Sequence, residues 1–215
     1  QESMYWLTGY DTFGYCFFQC MIVSAKGDIT LLTRAPDLRQ AQHTSVVEDI
    51  RIWRDHGKAR PEKDLKQTLE DLGYKGKTLG IERKTVGLNG FYGDAINRTL
   101  RSFAKLEDHS LMVDALRMVK SPAELKYIRK AGELADDALD AAIATTRTGA
   151  DEGDILAAMH SAIFSKGGDY AGNEFIIGSG ADALLCRYKS GRRKLSENDQ
   201  LTLEWAGAYR HYHAA

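Results

Sequence analysis

The sequence predicts an α/β (α+β) protein built from two consecutive segments. Strand-like and helix-like runs alternate over roughly residues 1–110, the pattern of an α/β domain. From Ser121 the grain changes to long alanine-rich runs with helical spacing, followed by short strand-like runs. The change falls near residues 111–121 and divides the chain into 1–112 and 113–215.

In the first segment "MYWLTGY" reads as a strand leading into "YCFFQCMIV". "SAKGD" supplies turn residues and "ITLLTR" returns, which is a hairpin signal. "DIRIW" is a further short strand. "PEKDLKQTLEDLG" is a helix with Pro61 near its start and Gly73 as C-cap. "KTLGIE" is a strand, "NGFYGDAINRTLRSF" a helix and "AKLEDHS" an extended run.

In the second segment "SPAE" opens a helix. Ser121 caps it, Pro122 takes the first helical position and Glu124 completes a capping box. Leu125, Ile128, Ala131, Leu134, Ala138 and Ala141 form its apolar stripe. Asp151 caps a second helix, "ILAAMHSAIFSKGG", in which His160 reads as a structural histidine. "NEFIIGSG", "LTLEWAG" and "AYRHYHAA" read as strands.

Composition is that of a globular protein, 43% hydrophobic and 27% charged. A net charge of −1 argues against bulk attraction to nucleic acid or anionic membrane. The longest near-apolar run is far short of a membrane span. Three cysteines do not make a disulfide scaffold. Cys16 and Cys20, four apart, read as buried thiols on one strand face, and a reducing, cytoplasmic setting follows as the default. The chain opens on Gln1 and stops inside a strand-like run, so it reads as an internal piece of a longer protein.

"VKSPAELKYIRKAGELADDAL", "RTGADEGDILAAM", "IIGSGADALLCRY" and "LSENDQLTLEWAGAYRHYHAA" together resemble the pita-bread domain of the creatinase and Xaa-Pro peptidase family. "YWLTGYDTFGY" is similar to the early part of that family's N-terminal domain. The resemblance implies a creatinase-type N-terminal domain over 1–112 and the first portion of a pita-bread catalytic domain over 113–215. It also implies a homodimer whose N-terminal domain reaches the partner's active site, with Tyr10, Phe13 and Tyr15 as pocket walls.

The same resemblance exposes departures. The family's metallopeptidases carry two metal-bridging aspartates on the terminal hairpin, and the matching positions here are Glu204 and Ala215. Their catalytic histidine falls at Arg187, a permanent cation that would repel a metal pair. His211 and His213 have zinc-ligand spacing if both lie on one strand, but two ligands make an incomplete site. The pattern is most like the metal-free, ectoine hydrolase-type members. That implies a hydrolase acting on a C–N bond of a small zwitterionic substrate, with no cofactor. Glu204 would be nucleophile or base, its basicity raised by burial. Arg187 would hold a substrate carboxylate, and Tyr212 and His213 would contact the substrate. The alternatives are an Xaa-Pro metallopeptidase with two divalent ions, manganese or zinc, in an altered site, and a non-catalytic binding protein. "KSGRRK" reads as a solvated turn, or as a basic lure for an anionic substrate.

Overall fold

The computed structural model describes residues 1–13, 16–185 and 193–215. The chain folds as two compact units, Gln1–Val119 and Lys120–Ala215. The helix Met112–Arg117 buries Val113 and falls within the first unit.

The first unit opens with α1 (Glu2–Thr8), which replaces the strand expected of "MYWLTGY". Met4 packs on the Tyr10 cluster and Thr8 is buried one turn later, where its hydroxyl donates to the Met4 carbonyl at 2.7 Å. A three-stranded sheet follows. β1 (Cys20–Val23) pairs antiparallel with β2 (Ile29–Arg34), and β2 pairs parallel with β3 (Asp49–Trp53). The expected hairpin therefore forms, but its first strand is shorter than expected. Cys16 precedes β1 and is exposed, so the two thiols do not share a strand face. Burial pushes the Cys20 thiol up to about 11.

A helix that the sequence reading did not identify, α2 (Leu38–Thr44), joins β2 to β3. α3 (Pro61–Asp71), β4 (Thr78–Ile81), α4 (Gly90–Leu100), β5 (Lys105–Asp108) and α5 (Met112–Arg117) complete the unit, with β4 and β5 paired in parallel.

Strand β2 is central because successive residues point to opposite faces. Leu32 enters a core with Phe18, Trp53, Leu65, Leu69, Ile96, Leu100 and Phe103. Leu31 enters another with Tyr10, Ala41 and Val47.

The second unit begins with α6 (Pro122–Thr145), whose N-terminus has the full capping box between Ser121 and Glu124. Its buried stripe is Ala131, Leu134, Ala135, Ala138 and Ala142. Leu125 is exposed and Ala142 replaces Ala141 in the stripe. α7 (Glu152–Phe164) is capped by Asp151, which accepts from the Gly153 N–H. Leu134, Ala138 and Ala142 pack with Ile155, Met159 and Ile163 to form the core.

Two antiparallel pairs follow: β6 (Ile176–Ser179) with β7 (Leu201–Glu204), and β8 (Gly207–Tyr209) with β9 (Tyr212–Ala214). β8 lies directly on α6. A Cβ on Gly207 would stand 2.0 Å from the Ala131 carbonyl oxygen, so only glycine permits that approach.

Candidate functional site

Strand β7 orients Glu204 by alternation. Leu201 and Leu203 pack on the core of the second unit, as does Trp205 just beyond the strand. The Trp205 Nε1–H donates to the Ala135 carbonyl at 3.0 Å. Glu204 therefore points to the opposite face, opposite Ile176 in the register. It is exposed, so the burial expected to raise its basicity is not what surrounds it here. Arg187 and Tyr15 lie outside the described residues.

The β8–β9 hairpin turns on Arg210 and His211, with φ of 51° and 62°. Two positive-φ residues between paired strands make a type I′ turn, whose twist suits a tight hairpin. His211 consequently sits in the turn and not on the strand, which removes the shared face expected for His211 and His213.

Tyr212 and Ala214 alternate with His213. Tyr212 turns toward α6, where its hydroxyl donates to Glu124 Oε1 at 2.9 Å. Its ring stands 5.6 Å from that of Tyr127. The acid that caps the helix thus also anchors the hairpin. His213 projects the other way. Its Nε2 accepts from the Gly172 N–H at 2.8 Å, and its Nδ1 lies 3.0 Å from the His211 carbonyl oxygen.

A second polar cluster escaped the sequence reading. Glu152, fully buried in the first turn of α7, accepts from the Ser179 hydroxyl at 2.7 Å and from the Arg193 N–H at 3.2 Å. The Arg193 guanidinium donates to Ser179 Oγ at 2.7 Å and pairs with Asp199. Hydrogen bonding to Arg193 holds the Asp199 carboxyl below the usual carboxylate range. The cluster ties α7, the end of β6 and residues 193–199 together.

One signal for it was present. Glu152, Ile155 and Met159 have helical spacing, which turns Glu152 inward with them. Of "KSGRRK", then, Arg193 is committed to this network and is not a solvated charge; residues 189–192 lie outside the described residues.

In the first unit the two aromatic candidates part company. Tyr10 is fully buried, with its hydroxyl 3.1 Å from Thr33 Oγ1. Burial raises the pKa of its phenol. Phe13 is 84% exposed.

The family Creatinase/Prolidase N-terminal domain matches residues 1–119, and Metallopeptidase family M24 matches residues 126–215. The chain belongs to the creatinase/M24 family. It is similar to ectoine hydrolase of Halomonas elongata, 25% identical over 229 residues, covering 99% of this chain and 57% of that protein. It is also similar to Xaa-Pro dipeptidase of Pyrococcus horikoshii, 27% identical over 139 residues, covering 64% of this chain and 38% of that protein. The solved Xaa-Pro dipeptidase from Bacillus anthracis superposes with a TM-score of 0.78 at 20% identity, over 100% of this chain and 56% of that one. The fold is therefore the α/β creatinase-type N-terminal domain followed by pita-bread elements. The chain spans little more than half the length of the ectoine hydrolase it matches.

The creatinase/M24 family includes metallopeptidases. The donor set on this chain's terminal hairpin does not fit a bridged metal pair, because Ala215 ends in a methyl group where a second carboxylate would be needed. Among the described residues, no cluster of three or more histidine, cysteine or acidic side chains could hold a metal ion. Also among them, no helix is long and apolar enough to cross a membrane.

Proposed function

We propose that the protein is a hydrolase that cleaves a C–N bond in a small zwitterionic compound without a metal ion. The observation that carries this reading is the Glu204 carboxylate, turned away from the core on β7, with Ala215 at the position that the family resemblance pairs with it. The similarity to ectoine hydrolase supports it.

In the reaction Glu204 takes a proton from water, the resulting hydroxide adds to the electrophilic carbon, and the C–N bond breaks as the departing nitrogen receives a proton. Direct attack by Glu204, followed by hydrolysis, reaches the same products. Arg187 supplies a planar fork for the substrate carboxylate. Of the two hairpin candidates, Tyr212 turns onto α6 and His213 turns to Gly172, so the substrate contacts rest on Glu204 and Arg187. A homodimer would bring Phe13 to the partner's site, and the exposure of that ring supports the assignment.

A second reading, an Xaa-Pro peptidase with an altered metal site, is favoured by the similarity to Xaa-Pro dipeptidase. The test is turnover by the intact protein on ectoine, creatine and Xaa-Pro dipeptides, together with metal content. The expected outcome is metal-independent turnover of a zwitterionic substrate. Glu204→Gln should then lower kcat by roughly 10²–10⁴-fold, the usual worth of a general base, with the fold unchanged by circular dichroism. Two tightly held manganese, zinc or iron ions per subunit would establish the second reading. Unchanged kcat in Glu204→Gln would remove Glu204 from the chemistry.

A further inference from the structure

We infer that His213 is a positioning residue: an imidazole carrying its hydrogen on Nδ1 that latches the segment 168–175 onto the β8–β9 hairpin. The chemistry of its two partners fixes the tautomer. The His211 carbonyl oxygen, 3.0 Å from Nδ1, can only accept, so Nδ1 carries the hydrogen. The Gly172 N–H, 2.8 Å from Nε2, can only donate, so Nε2 presents its lone pair.

Other contacts show that the two segments form a seam. The Asp169 N–H donates to the Ala208 carbonyl at 2.8 Å. The His211 N–H donates to Asp169 Oδ2 at 3.0 Å, which places the turn against the segment. The charged and titratable groups on the elements meeting at this seam are Asp169, Tyr170 and Glu174 on the segment, and Tyr209, Arg210, His211 and Tyr212 on the hairpin. The hairpin's other face belongs to α6, whose Glu124 is taken up by the Tyr212 hydroxyl. The imidazole joins turn and segment through both ring nitrogens.

The latch bears on Glu204 through the chain. Residues 173–175 run from the Gly172 contact straight into β6, whose Ile176 is the register partner of Glu204. The latch thus fixes the chain just before the strand that flanks the proposed catalytic carboxylate. The inference does not depend on what Glu204 does: turnover tests Glu204, and imidazole spectra test the latch, so the two can fail separately.

The experiment is nitrogen-15 NMR of His213 in the intact protein, with amide hydrogen exchange at Gly172. The expected result is the Nδ1–H tautomer and a measurable protection factor at Gly172. His213→Asn keeps a donor near Nδ1 but loses the distal acceptor, and should lower Gly172 protection by about fivefold or more, the worth of one hydrogen bond. His213→Gln places a carbonyl oxygen near the Nε2 position and should restore most of it. An Nε2–H tautomer, an unprotected Gly172 amide, or equal loss in the Asn and Gln variants would overturn the latch. The tautomer is read on the unmodified protein, so the claim stays testable even where a variant fails to fold.

Discussion

At His160 a titratable ring is held by aromatic neighbours. It stacks on Phe175 with centroids 4.2 Å apart and on Phe164 at 5.7 Å. Desolvation by that packing lowers its pKa from the ordinary 6.5. The sign follows from linkage. The unfolded chain takes up a proton near pH 6.5 while the folded ring resists it, so stability is full above that value. It should then fall as the pH drops below about 6.5 toward the folded pKa. Urea midpoints measured between pH 8 and 4 should show the decline, and His160→Phe, which keeps an aromatic ring in the stack, should remove this histidine's share of it. The structural character of His160 was legible from its place inside a helix. Glu152 was harder to read: its spacing turned it inward, but its partners Ser179 and Arg193 are far along the chain, and no local pattern links them.

Elements were legible where one local signal dominated. Ser121, Pro122 and Glu124 announced α6, and Asp151 announced α7, because caps act through neighbouring backbone groups. Strands β2 and β3 follow from β-branched and apolar runs. The run that forms α1 is short and aromatic-rich and satisfies both periods, so its pattern alone does not separate helix from strand. The His-x-His face was misread because a two-residue turn falls inside "YRHY", where Arg210 and His211 adopt positive φ without a glycine to mark it.

The packing of β8 on α6 makes a sharp prediction at this scale. Gly207→Ala places its methyl group 2.0 Å from the Ala131 carbonyl, and should destabilise the second unit by about 3 kcal/mol, as overpacking does. Thermal unfolding checks it, and a loss below roughly 0.5 kcal/mol, the range of ordinary surface changes, would mean that the contact relaxes freely.

Across the whole molecule, the two units have separate cores: Leu134, Met159 and Ile177 belong to one, while Leu32, Trp53 and Leu100 belong to another. Leu134→Ala should therefore cost about 3 kcal/mol and raise hydrogen exchange through α6, α7 and β6, while amides of β2 and β3 keep their protection. Uniform loss of protection across both units would show a single cooperative body. The two-part organisation was visible in the sequence because the grain changes at Ser121. Helix α5 buries Val113 and belongs to the first unit.

One consequence of the two-faced strand β2 remains. Leu31 and Leu32 serve opposite cores, so sliding the strand by one residue would keep a leucine in one core and put Thr30 or Thr33 into the other. Burial thus rejects half of each slipped alignment, and the other half still receives a leucine. The hydroxyls complete the choice: Thr33 meets Tyr10, and Thr30 donates to Asp49 at 2.7 Å. The address of this strand is thus spelled by its two threonines.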